Sequence, residues 1–137
     1  MISRILVDTG LIVAILSDSD PYHKACVEAL SHMRGRLMTC WPVITEAAWL
    51  LRKYPHAVER LPASCNGGPF ELLPLDGADL AGITAMMNKY RNLGLQLADA
   101  CLAHLAEREA TNLIFTLDRR DFSALRLVRG RKLRLIP

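Results

Sequence analysis

Four carboxylates stand where the surrounding residue pattern makes a carboxylate costly: Asp8, Glu46, Asp99 and Asp118. Asp8 closes the apolar run Ile5-Leu6-Val7, and Asp118 closes Leu113-Ile114-Phe115-Thr116-Leu117. Both therefore read as residues at the C-terminal ends of buried strands. Glu46 and Asp99 interrupt the apolar stripes of two helices. Val43, Ala47 and Leu50 share a helical face with Glu46, and Leu95, Leu102 and Ala103 share one with Asp99. Carboxylates turned inward repel one another and lose their hydration, and the simplest compensation is a divalent cation. Oxygen-only ligation suits Mg²⁺ or Mn²⁺ rather than zinc. A hydrated hard cation beside a basic surface suits phosphodiester hydrolysis, with no protein nucleophile required.

Each acid also has a plainer reading. Asp8 could cap the helix that starts near Thr9-Gly10, and Asp118 with Asp121 resembles a capping pair. Glu46 and Asp99 could be members of buried ion pairs, although Arg52 and Lys53 lie off the Glu46 face. Coincidence becomes a weaker account as each acid is added. Thr116, two residues before Asp118 and so on the same face of the strand, is a candidate to orient a carboxylate or a bound water. Thr9 is open to either reading.

His23, His32, His56 and His104 are dispersed and adjoin no evident nucleophile, which argues against a serine or cysteine triad. Cys26, Cys40, Cys65 and Cys101 form no Cys-x-x-Cys pair and read as free thiols. Trp41 and Trp49 are expected to be core or interface anchors rather than base-stacking platforms, because aromatic residues make up only 6% of the chain.

The elements that must position these groups alternate between short strands and helices. Strands are expected at 3–8, 37–40, 70–75, 112–117 and 132–136. Helices are expected at 10–16, 20–33, 42–53, 55–64, 76–92, 97–109 and 119–124. Asp20-Pro21 reads as a helix start, and Leu80, Ile83, Met87 and Tyr90 form one stripe. Such alternation predicts a parallel sheet with helices on both faces, whose ligands bind at the C-terminal strand edge where strand order reverses. At 137 residues and 51% hydrophobic composition, the chain suits one globular domain spanning 1–137. No segment reads as a membrane span or signal peptide, so a cytoplasmic protein is expected. The net charge of +3 is uneven: seven basic residues and one acid follow Asp118, against ten basic and thirteen acidic residues up to it. A charge run alone reads as a solvated basic tail, but beside a candidate metal site that concentration suits a polyanion such as nucleic acid.

Val7-Asp8-Thr9-Gly10, Thr45-Glu46-Ala47-Ala48-Trp49-Leu50-Leu51, Leu97-Ala98-Asp99-Ala100 and Phe115-Thr116-Leu117-Asp118-Arg119-Arg120-Asp121-Phe122 resemble the ordered motifs of PIN-domain ribonucleases. The likeness is to the VapC-type toxins of bacterial toxin-antitoxin pairs. The resemblance implies a five-stranded parallel sheet in the order 3-2-1-4-5, flanked by helices. It also implies that Asp8, Glu46, Asp99 and Asp118 form an Mg²⁺/Mn²⁺ cluster supported by Thr116. It further implies RNA cleavage, a homodimer, and a small antitoxin of the VapB type docking in a groove between the early helices. A haloacid-dehalogenase phosphatase would need an aspartate where Gly10 stands, and a response-regulator receiver would need paired acids after the first strand. The competing non-enzymatic reading is a PIN-like protein- or RNA-binding module; an RNA-processing nuclease that is not a toxin is a further alternative.

Overall fold

The apolar run Ile5-Leu6-Val7 becomes the central strand of the protein. In the computed structural model, residues 3–117, 122, 124 and 125 and the backbone of 134–136 are described. β1 (Ser3–Val7) pairs in parallel with β2 (Gly35–Thr39) on one side, placing Leu6 opposite Met38. On its other side it pairs with β4 (Leu113–Phe115), with Val7 opposite Phe115. β3 (Phe70–Leu72) lies beyond β2, and the backbone of β5 (Arg134–Ile136) registers beside β4, so the sheet runs β3-β2-β1-β4-β5. Leu6, Val7, Met38 and Phe115 are fully buried. A parallel sheet covered by helices has that continuous apolar character, in contrast to alternation on a one-sided sheet.

Strand order reverses at β1. The chain moves outward from β1 to β2 and β3, then returns across β1 to add β4, which opens a crevice at the C-terminal ends of β1 and β4. The helices are α1 (Thr9–Leu16), α2 (His23–Ser31), α3 (Trp41–Leu50), α4 (Pro55–Ser64), α5 (Leu80–Lys89) and α6 (Leu97–Arg108). α3 packs against both α1 and α6, which brings the helices carrying Glu46 and Asp99 to the crevice.

Several expected boundaries shift. Asp20 does not cap α2; its carboxylate accepts from Tyr22 N at 2.8 Å in the preceding turn, and the helix begins at His23. The expected 76–92 helix is three pieces: a 3-10 turn at Gly77–Asp79, then α5, then a 3-10 turn at Arg91–Leu93. Asp76 still caps the first piece, through a reciprocal capping box with Asp79. The stripe on α5 is not a buried face. Ile83 is buried, whereas Leu80 and Met87 are exposed. Trp41 and Trp49 are not core residues either, and both stand out from α3. Cys26, Cys40 and Cys101 are buried free thiols, with burial pushing the Cys40 thiol up to about 12. Of the expected helix at 119–124, residues 122 and 124 are described and both are helical, with Phe122 fully buried; the basic residues 119–132 lie outside the described residues.

α5 and α6 are joined through Asp79, which sequence reading passed over. His104 Nε2 donates to Asp79 Oδ1 at 2.8 Å, and Arg108 Nη1 donates to the same oxygen at 3.1 Å and to Pro74 O at 2.7 Å. The hydrogen bond from His104, reinforced by Asp76 N and Arg108, holds the Asp79 carboxyl well below the usual carboxylate range. Its contribution is therefore present above that range and lost as pH falls through the depressed value. Gly82 lets the imidazole lie against α5, because a Cβ there would stand 2.4 Å from His104 Nδ1. Gly82→Ala is expected to cost about 1–3 kcal/mol by overpacking a ring that Asp79 prevents from turning away. Urea denaturation would measure this, and an unchanged midpoint would show that the ring moves freely.

Candidate active site

Asp8 leaves the buried end of β1 and is both a cap and a cavity residue. Its Oδ1 accepts from Leu11 N at 3.1 Å, the N-cap bond expected of an aspartate before α1. Its Oδ2 accepts from Thr116 Oγ1, and its backbone N donates to Phe115 O at 3.2 Å. Asp8 and Thr116 are both buried. The carboxylate is thus held by α1 on one oxygen and by the chain just after β4 on the other.

Asp99 lies in the first turn of α6, where the exposed N–H groups favour negative charge. The preceding bend needs Gly94, whose φ of +64° is left-handed. Gln96 follows in extended conformation at the N-cap. Glu46 sits midway along α3 and is half-buried. Desolvation raises its carboxyl above the usual value, and no described cation pairs with it to offset that.

These three acids, far apart in sequence, line one open cavity of about 360 Å³ together with Thr9, Gly10, Gly94, Gln96 and Leu117. Thr116 borders it through Asp8. Asp118 lies outside the described residues; Leu117, immediately before it, forms part of the wall. Gly94 and Gln96 were not singled out in the sequence. The only local signal was the Asn92-Leu93-Gly94 break before α6.

Among the described residues, no three His, Cys, Asp or Glu side chains are close enough to form a ready cage for a bare ion. The donor set nonetheless fits a hard cation that keeps part of its water shell, as Mg²⁺ does. It is all oxygen, it is open to solvent, and one member is destabilised as an anion by its surroundings.

That last feature has a sign that can be checked. With its folded value raised, Glu46 favours the folded state fully below the ordinary carboxylate range, and this contribution is lost as pH rises through the raised value. In metal-free buffer, Glu46→Gln should therefore raise stability at neutral pH by less than about 1 kcal/mol, since a half-buried carboxylate is partly screened by water. The gain should shrink as pH is lowered. Paired melting curves at neutral and acid pH would measure this, and a loss of stability at neutral pH would instead identify Glu46 as a structural partner.

Comparison with known proteins bears on the family and the fold. A family model described as PIN domain matches residues 5–127. Ribonuclease VapC26 of Mycobacterium tuberculosis is 31% identical over 134 residues, which is 96% of this chain and 99% of that protein. Among solved structures, Mycobacterium tuberculosis VapC20, a Sarcin-Ricin loop cleaving toxin, superposes with a TM-score of 0.78 at 14% identity, covering 85% of this chain and 91% of that one. A toxin-antitoxin complex from Klebsiella pneumoniae superposes with a TM-score of 0.69 at 17% identity, over 97% and 96% of the two chains. VapBC2 from Rickettsia felis, bound to a DNA fragment from its promoter, gives 0.65 at 12% identity, over 98% and 100%. At these identities the solved structures speak for the fold.

Proposed function

The chain belongs to the PIN-domain family and, within it, to the VapC-type ribonucleases, and we propose that it is a metal-dependent endoribonuclease acting as the toxin of a type II toxin-antitoxin pair. The observation that carries this reading is the convergence of Asp8, Glu46 and Asp99 on one cavity at the point where strand order reverses. In this reading Asp8, Glu46, Asp99 and Asp118 would hold Mg²⁺ or Mn²⁺. Such an ion, when bound, supplies an activated water and positive charge for the departing oxygen.

The chain's own residues prepare the site. Leu11 N and Thr116 Oγ1 fix the two oxygens of Asp8, so its carboxylate keeps one orientation. Asp99 stands in the first turn of α6, where the helix dipole favours negative charge. Glu46 holds a proton more readily than an ordinary carboxyl while no cation offsets its burial. Gln96, on the cavity rim, is placed to donate to a phosphate or ribose oxygen.

The antitoxin would dock in the cavity of about 250 Å³ formed by Leu16, Ser17, Tyr54, Ala57 and Arg60 at the α1 and α4 ends. Two of the structural neighbours are themselves toxin-antitoxin assemblies, which supports a partner of that kind. The protein would act in the cytoplasm as a homodimer. No helix among the described residues is long and apolar enough to cross a membrane.

The test is incubation of purified, antitoxin-free protein with total cellular RNA in Mg²⁺ or Mn²⁺, beside EDTA and Asp99→Asn controls. Discrete fragments that require both the metal and Asp99 are expected. Binding of RNA without cleavage under any of these conditions would favour a binding module.

A further inference from the structure

Gly10, the second residue of α1, lines the acid cavity at a position where the described structure has no need of a glycine. At Gly35, Gly68 and Gly82 a Cβ would stand 2.4–2.5 Å from a neighbouring atom, so packing excludes a side chain. At Gly10 it would meet nothing nearer, among the described residues, than Asp8 Oδ1 at 3.9 Å, and the backbone is not left-handed. Glycine is also a poor helix former, so it costs stability at a place where a Cβ would only narrow the cavity. Thr9 beside it is 6% exposed, and its hydroxyl has no hydrogen-bond partner among the described residues. That oxygen is not sealed off, and the wall to which Thr9 contributes is that of the acid cavity. The N–H groups of Thr9 and Gly10 are equally without a described partner, because the Asp8 carboxylate takes only Leu11 N from the first turn. We propose that Thr9 Oγ1 and these two N–H groups hold the non-bridging oxygens of the RNA phosphate at which cleavage occurs, and that Gly10 lacks a side chain so that this phosphate can reach them. The proposal rests on the ribonuclease reading of the adjacent acids.

The donors match a phosphate oxygen in kind and in placement. First-turn N–H groups point out of a helix N-terminus and favour an anion, and a threonine hydroxyl adds a third donor. Asp8, Glu46 and Asp99 repel a phosphate, so α1 supplies an attraction that those side chains cannot. Asp8 caps α1 and also accepts from Thr116, which ties this helix end to the acids and leaves its donors little to reorganise when a phosphate arrives. The cavity of about 360 Å³ has room for a phosphate beside the acids.

Gly10→Ala separates this role from a structural one, because the two predict opposite signs. Its melting temperature should equal the parent's or exceed it by up to about 3 °C, alanine being the better helix residue. Its affinity for a labelled single-stranded RNA hexamer, measured by fluorescence anisotropy in Ca²⁺ to slow turnover, should nevertheless fall about tenfold. Cleavage in Mg²⁺ should lose at least about tenfold in kcat/KM. Thr9→Val, which removes the hydroxyl and keeps the shape, should lose about tenfold in both, and Thr9→Ser should restore most of it. The Mn²⁺ affinity of all three variants, read from the paramagnetic resonance of the free ion, should match the parent's. RNA affinity within about twofold of the parent's in both Gly10→Ala and Thr9→Val would overturn the proposal. So would a fall in Mn²⁺ affinity that accounts for the loss, since the residues would then act on the cation. A lowered melting temperature in Gly10→Ala would overturn the role given to that glycine, and Thr9→Val against Thr9→Ser would then decide the hydroxyl's. Cleavage that needs Asp99 but is equal in all variants would remove the phosphate cradle and leave the ribonuclease reading intact. Selective loss of RNA affinity by Gly10→Ala and Thr9→Val, in a protein that cuts no RNA, would do the reverse.

Discussion

Asp99→Asn is expected to lower metal-dependent RNA cleavage by at least about a hundredfold while leaving a cooperative melting transition in place. Single groups that stabilise developing charge in preorganised sites count on that scale. Asparagine keeps the shape of the side chain and one of its two oxygens, but loses the full negative charge that a divalent cation requires. Asp99 is half-buried in the first turn of α6, and the hydrophobic contacts of that helix come instead from Ala98, Cys101, Leu102 and Leu105. The substitution leaves those apolar contacts untouched. Cleavage assays and thermal melts on the same preparation would separate the two effects. Activity within about threefold of the parent would remove Asp99 from the catalytic group, and a collapse of stability would make it a structural partner.

Phe115→Ala should be the most destabilising of these substitutions, by about 3–5 kcal/mol, which for a chain of this length lowers Tm by on the order of 10 °C. The ring is fully buried at the end of β4, opposite Val7 of β1. Its removal leaves a cavity beneath the segment that delivers Thr116 to Asp8. Activity should fall as well, more at 37 °C than at low temperature, because the Thr116 to Asp8 hydrogen bond depends on where that strand end lies. A denaturation midpoint shifted by less than about 1 kcal/mol would mean that the neighbours close over the void.

Local pattern was enough to place Asp8, Glu46 and Asp99 on their elements. An apolar run ending in Asp8 identified the end of a buried strand, and the expected helix at 55–64 is α4 as observed, because proline at its first position and apolar spacing are local signals. Strand-helix alternation similarly carried the parallel sheet. The capping and the site readings of Asp8, which looked like alternatives in one dimension, prove compatible: a carboxylate has two oxygens, and α1 engages only one of them directly. The segment 76–92 misled because its apolar spacing suits a helix whether or not anything packs on it, and the reciprocal Asp76 and Asp79 bonds close a tighter turn first.

The types of the candidate site groups, the elements that bear Asp8, Glu46 and Asp99, and the family they suggest were thus legible in the chain, since each depends on neighbours within a few residues. Tertiary structure alone decided that Asp8, Glu46 and Asp99 face one space, that burial raises the Glu46 carboxyl, and that the tryptophans stand exposed beside it. It also made Asp79 the meeting point of α5 and α6. Exposure, proximity and electrostatic environment are set by contacts between residues tens of positions apart, and no local period encodes them.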